Sequence, residues 1–177
     1  MRFTPTPLAG AHVVDIEPIG DERGMFARAW SEEEFREREL DARVAACNIS
    51  FNVALGTLRG MHYQVEPHEE AKLVRCTAGA VYDVIVDLRR ESDTYCRWFG
   101  IELTARNRTA LFIPAGFGHG FQTLAPDSEV LYLMSAPYVP EAAAGVRWND
   151  PVFGIAWPDA EVRVMSERDR TYPDFQV

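Results

Sequence analysis

A succession of short runs rich in Val, Ile, Tyr and Phe, each cut by Gly, Asn or Pro-Asp, constrains this fold more than any other feature. Lys72–Leu88 is the longest such stretch and is broken at Gly79. These residue types suit a pleated, half-buried surface. The segments near Phe99–Thr104, Thr109–Pro114 and Glu129–Pro137 share the character, and turn signals stand at Gly56, Gly60, Gly79, Asn107, Gly116 and Pro126-Asp127. Many short strands with regular turns predict an all-β sandwich or barrel. One segment departs from this pattern. Ser31 precedes Glu32, Glu33 and Glu34, a capping-box start, and Phe35 and Leu40 follow; a short helix of about three turns is expected there. The C-terminal third carries WNDP, FGIAWP and ERDRTYP, aromatic and Pro-rich without periodicity, and is expected to form an ordered tail over part of the barrel.

The chain of 177 residues is 47% hydrophobic and 25% charged, as expected of one globular domain spanning residues 1–177. No run reaches the ~18 apolar residues of a transmembrane helix. The net charge is −9, from 27 acidic and 18 basic residues. Such a surface repels polyanions, so neither nucleic acid nor membrane is expected as a partner. A small anion remains open, because a local Arg/Lys cluster outweighs the global field at short range. The start MRFTPTPLAGAHVV has no secretory h-region. Cys47, Cys76 and Cys96 are odd in number with no CxxC, which reads as reduced, mostly buried thiols in a cytoplasmic protein.

His62 in GTLRGMHYQ and His119 in FIPAGFGHGFQ both lie beside glycines in β-rich sequence. They suggest two strands converging on one cavity, although a lone barrel histidine is more often a satisfied polar group. No His-x-His occurs, and Glu66, Glu69 and Glu70 sit in a Pro-containing segment read as an exposed loop. The ligand set falls short of a 2-His-1-carboxylate site, so no metal is expected. Lys72 opens an apolar strand, where it either snorkels to the rim or points inward to an anion. Tyr132 shares a strand face with Val130 and Met134 and reads as a core tyrosine or a placed hydroxyl. Arg168 and Asp169 in SERD could be solvated, whereas Arg23 and Arg59 stand beside glycines where a guanidinium can reach a phosphate.

Together, DERG at 21–24, N-x-S at 48–50, LRGMHYQ at 58–64, AKLVRC at 71–76, FIPAGFGHGF at 112–121, LY at 131–132, WNDP at 148–151, WP at 157–158 and SERD at 166–169 occur in one order. This pattern resembles the dTDP-4-dehydrorhamnose 3,5-epimerase family over about residues 8 to 175. The resemblance implies a cupin-type jelly-roll barrel and a homodimer with an N-terminal strand crossing to the partner. It implies a cofactor-free, metal-free epimerase of a dTDP-linked 4-keto-6-deoxyhexose. By position, His62 resembles the family's base, Tyr132 its acid, Asp169 the carboxylate orienting the histidine, and Lys72 the lysine near the C4 carbonyl. Arg23, Asn48, Arg59 and His119 match substrate-binding positions. Arg168 stands where Lys is common, and Tyr138 resembles an aromatic residue near the nucleotide.

The chemistry suits those residue types. The C3 and C5 protons of a 4-keto sugar are both α to one carbonyl, so removing either gives an enolate, which a base on one face and an acid on the other resolve into inversion. The chain departs from the family pattern at Arg28, Leu133, Pro137 and Ala143, all expected in the substrate shell. Three other readings stand beside the 3,5-epimerase: an epimerase of C3 or C5 alone, a non-catalytic sugar-binding cupin, and a metal-dependent cupin oxygenase.

Overall fold

The computed structural model describes residues 1–176. In chain order the elements are β1 (Arg2–Pro5), β2 (His12–Asp15), β3 (Ile19–Asp21), β4 (Gly24–Phe26), α1 (Glu32–Arg36), β5 (Ala46–Asn52) and β6 (Leu58–Gln64). There follow β7 (Lys72–Ala78), β8 (Ala80–Asp87), β9 (Trp98–Thr104), β10 (Ala110–Ile113), β11 (Phe117–Thr123), β12 (Ser128–Met134), β13 (Ala143–Gly145) and α2 (Glu167–Arg170). One sheet has the order β1-β2-β10-β7-β12-β5 and the other β13-β6-β11-β8-β9, with β3 and β4 forming a separate hairpin. Two antiparallel sheets facing each other make the all-β sandwich expected from the strand pattern, in the jelly-roll form that the family resemblance implies.

Strand alternation sorts the side chains into three layers. Val74, Cys76, Leu111, Ile113 and Val130 from the first sheet meet Val81, Ile85, Leu103, Phe117 and Phe121 from the second. Burial of each contributes about 1.5–3 kcal/mol. On β7 the phase runs Leu73 outward, Val74 inward, Cys76 inward, so Lys72 faces the inside with Val74. Outside the first sheet, α1 presses Phe35 onto Val14, Leu73 and Phe112. Outside the second, Phe153, Trp157 and Phe175 of the tail cover Val84 and Val86. The tail is therefore a third layer of the fold, which is why β8 is buried on both faces from Asp83 to Asp87.

Several local expectations need correction. The helix after Ser31 has five residues instead of three turns. Glu39 adopts φ +58, and its N–H and that of Leu40 bond to Arg36 and Phe35 carbonyls at 3.0 Å each. This left-handed cap ends the helix and folds Leu40 back onto Phe35. Gly60 is not in a turn but inside β6, at φ +127, where a Cβ would lie 2.5 Å from Gly120 Cα. The pair lets β6 and β11 close together beside the two histidines. Cys76 is buried and Cys96 half-buried, but Cys47 is exposed, because it lies on β5, an edge strand.

Candidate active site

Between the two sheets lies a cavity of about 330 Å³. His62 on β6 and His119 on β11 are register partners across the second sheet, and both reach it, as do Lys72 on β7 and Tyr132 on β12 of the first. Asn48, Arg59, Tyr138 and Arg168 complete the match to the sequence expectation. The β-alternation that fills the core one layer away thus aims these polar groups into one space.

His62 Nε2 lies 2.8 Å from Asp169 Oδ1. Asp169 is 4% exposed, and its second oxygen accepts the Gly60 N–H at 3.2 Å. Burial pushes its carboxyl up, but hydrogen bonds from His62, Gly60 and Ser166 outweigh this and hold it below the usual carboxylate range. An ionised carboxylate only accepts, so His62 Nε2 donates and Nδ1 of the neutral ring keeps its lone pair. Asp169 owes its position to α2, which is a single turn. Ser166 Oγ accepts the Asp169 N–H at 3.1 Å. SERD is an N-cap pattern of the S-x-x-D type, so the solvated reading of Arg168-Asp169 gives way, for Asp169, to a buried one.

Lys72 takes the inward alternative. Its Nζ lies 3.0 Å from Glu70 Oε1 and donates to the His62 carbonyl at 3.2 Å. Glu70 is buried and lines the cavity, against the expectation of an exposed loop, which holds for residues 65–69, Glu66 and Glu69 included. The chain turns inward at Glu70 to enter β7. The signal was its two-residue spacing from Lys72, which puts both side chains on one face of an extended segment.

Tyr132 packs edge-on to His119, ring centroids 6.0 Å apart. Burial, with the nearby Asp83 charge second, raises its phenol well above the ordinary range and keeps it protonated. His119 Nε2 in turn lies 2.9 Å from buried Asp83. Gln64, which sequence reasoning passed over, ties the mouth: its amide donates to the Pro137 carbonyl at 3.2 Å and accepts the Val139 N–H at 2.6 Å, bracketing Tyr138. Arg168 donates to the Ala143 carbonyl at 3.0 Å, and Arg59 bonds Asn52 at 2.6 Å.

Of the expected shell residues, Arg23, Arg28, Leu133 and Pro137 do not line the cavity: Arg28 is 62% exposed beside Glu34, and Pro137 meets Gln64 through its carbonyl. Arg23 sits in the turn of the β3–β4 hairpin, 83% exposed and paired with Asp21, and does not line the cavity. Leu133 packs on the outer layer near Phe35; alternation turns Met134, not Leu133, into the cavity. Among the described residues, no three His, Cys, Asp or Glu side chains are grouped as a metal ion requires.

The model of the dTDP-4-dehydrorhamnose 3,5-epimerase family matches residues 5–176. A relative of that name from Sinorhizobium fredii is 41% identical, covering 99% of this chain and 90% of its own. The crystal structure of dTDP-4-dehydrorhamnose 3,5-epimerase from Elizabethkingia anophelis superposes with a TM-score of 0.96 at 36% identity, over 99% of this chain and 96% of that one. ChmJ, a 3′-monoepimerase from Streptomyces bikiniensis solved with dTDP-quinovose, gives 0.89 at 35% identity, over 96% and 86%. With a match that spans nearly every described residue, the chain belongs to the dTDP-4-dehydrorhamnose 3,5-epimerase family.

Proposed function

We propose that this protein binds a dTDP-linked 4-keto-6-deoxyhexose and inverts C3 and C5 through an enolate, giving dTDP-4-dehydro-L-rhamnose. One observation carries the reading: His62, held from behind by Asp169, and the protonated Tyr132 enter a single cavity from opposite sheets. His62 Nδ1 takes the α proton from one face of the sugar. The electron pair moves onto O4, where the Lys72 ammonium stabilises the developing charge. Tyr132 gives its proton to the same carbon from the other face, and solvent exchange resets both groups. Asp169 holds the imidazole's tautomer and stabilises the imidazolium. Arg59 and Arg168 supply charge for the diphosphate, with Asn48, His119 and Tyr138 positioning the rest.

Arg23 joins this site from a second copy of the chain. Its hairpin exposes the paired Ile19 and Phe26 at 76% each and Met25 at 46%, a contiguous apolar face of the kind that marks an interaction surface. The protein acts as a homodimer in the cytoplasm without metal or cofactor.

Incubation with dTDP-4-keto-6-deoxyglucose in D2O tests the reaction by NMR. Deuterium at both C3 and C5, with inversion, is expected, and prolonged EDTA treatment leaves the rate unchanged. The likeness to a 3′-monoepimerase makes deuteration at C3 alone the second reading. Deuterium at neither carbon rejects both.

A further inference from the structure

Glu70 is the one carboxylate among the described residues lining the cavity, whose cations are Arg59, Lys72 and Arg168. Its side chain and that of Lys72 are 5% and 7% exposed. Glu70 Oε1 holds the ammonium, while the buried Oε2 has no other hydrogen-bond partner. The carboxylate is thus committed to one lysine, in a space where other cations oppose that lysine's charge. An ion pair so far from water needs both members, since losing one leaves an uncompensated buried charge.

We propose that Glu70 is a positioning residue for the epimerisation: it keeps Lys72 in the ammonium form and aimed at the site of the developing enolate. The proposal rests on the role given to Lys72 above. Without the counter-ion, Arg59 and Arg168 favour the neutral amine, and the amine loses one of its two anchors; the His62 carbonyl remains. The other titratable groups sharing the cavity are His62 and Tyr63 on β6, His119 on β11, and Tyr132 on β12, with Tyr138 at the mouth. None of these is an acid that could replace Glu70 as an anion at neutral pH. Strand β10, which pairs with Lys72 through Ile113, brings no charge to it there.

The test compares Glu70→Gln, Glu70→Asp, Lys72→Gln and the double variant Glu70→Gln/Lys72→Gln, each checked for folding by thermal melting. Glu70→Gln is nearly isosteric. It is expected to lower kcat by roughly 10²-fold, the scale of a misplaced catalytic group, with KM changed less than threefold. The alkaline limb of its kcat–pH profile moves to lower pH by about 1–2 units, the reach of a lost opposite charge. Glu70→Asp restores part of both. The double variant is no slower than Lys72→Gln alone, because Glu70 acts through the lysine. A Glu70→Gln enzyme with wild-type kcat and alkaline limb, beside an impaired Lys72→Gln, overturns the role of Glu70 alone. Wild-type activity in Lys72→Gln overturns the lysine's role, and this proposal with it. Additive losses in the double variant also overturn the proposal.

Discussion

Two His–Asp pairs stand side by side in the second sheet. His62 and His119 are direct register partners, and each uses Nε2 to meet a buried aspartate at 2.8 and 2.9 Å. Their surroundings differ. The His62 side chain is 45% exposed and that of His119 only 5%. Asp169 comes from a capped turn in the tail, whereas Asp83 comes from β8 inside the barrel. We read the same pair of groups as the proposed base where the ring is open, and as part of the cavity wall where it is buried. Proximity of His to Asp does not make a general base; access of the free nitrogen does.

The contrast breaks most sharply on the histidines. Replacing His62 with Ala is expected to lower deuterium uptake at C3 by about 10⁴-fold, the upper range for a general base. Replacing His119 with Asn is expected to act mainly on KM. Equal loss of exchange in the two variants, with substrate still bound, collapses the distinction between base and wall.

Tyr132→Phe sharpens the comparison from the acid side. The phenol packs on His119, not on His62, so its loss leaves the base intact. Exchange should persist with retention while inverted product falls by about 10³-fold. Parallel loss of both means that the tyrosine serves binding instead.

Next comes Asp169→Asn, for which a kcat loss of about 10²-fold is expected, because the amide can donate to Nε2 and so favour the wrong tautomer of His62. A wild-type kcat at neutral pH shows that the tail carboxylate does not orient the ring.

The smallest effect is on stability and involves a buried aspartate with no histidine. Asp87 lies four residues after Asp83 on β8 and accepts from Arg89, Ser92 and Thr94. Burial raises its carboxyl, but those donors prevail and bring it to about 2. The folded value lies below the unfolded one of about 3.9. Its stabilisation is therefore complete above pH ~4 and lost as pH falls toward 2, about 2–3 kcal/mol in all. Asp87→Asn should lower urea stability by that amount at pH 7, and the gap to wild type should close near pH 2. A gap that persists at pH 2 refutes the ionic origin.

Much of the site was legible before any coordinates. Lys72 and Tyr132 lie in segments whose strand character is plain in the chain, and His62 and His119 stand out by their Gly-flanked motifs. Legibility fails where an inward turn of the backbone, and not periodicity, sets a residue's environment. Glu70 looks like its neighbour Glu69 in sequence, yet one is buried and the other exposed. Leu133 was assigned to the substrate shell from motif position, but alternation on β12 turns Met134 there instead. Gln64 carries no motif beyond its place in HYQ, and its role appears only once Pro137 and Val139 come within reach.

The sequence by itself determined the β-rich architecture, the face shared by Val130, Tyr132 and Met134, the Ser31 cap and the family, because these depend on local propensity, alternation and contiguous motifs. Tertiary structure alone decided which histidine is open, which acid serves which cation and where Arg23 stands. Asp169 lies 107 residues from His62, and Asp83 lies 36 from His119. Contacts of that span arise from the pairing of β8 with β11 and from the docking of the tail on the second sheet. Residue identity says only that such groups must find partners when buried.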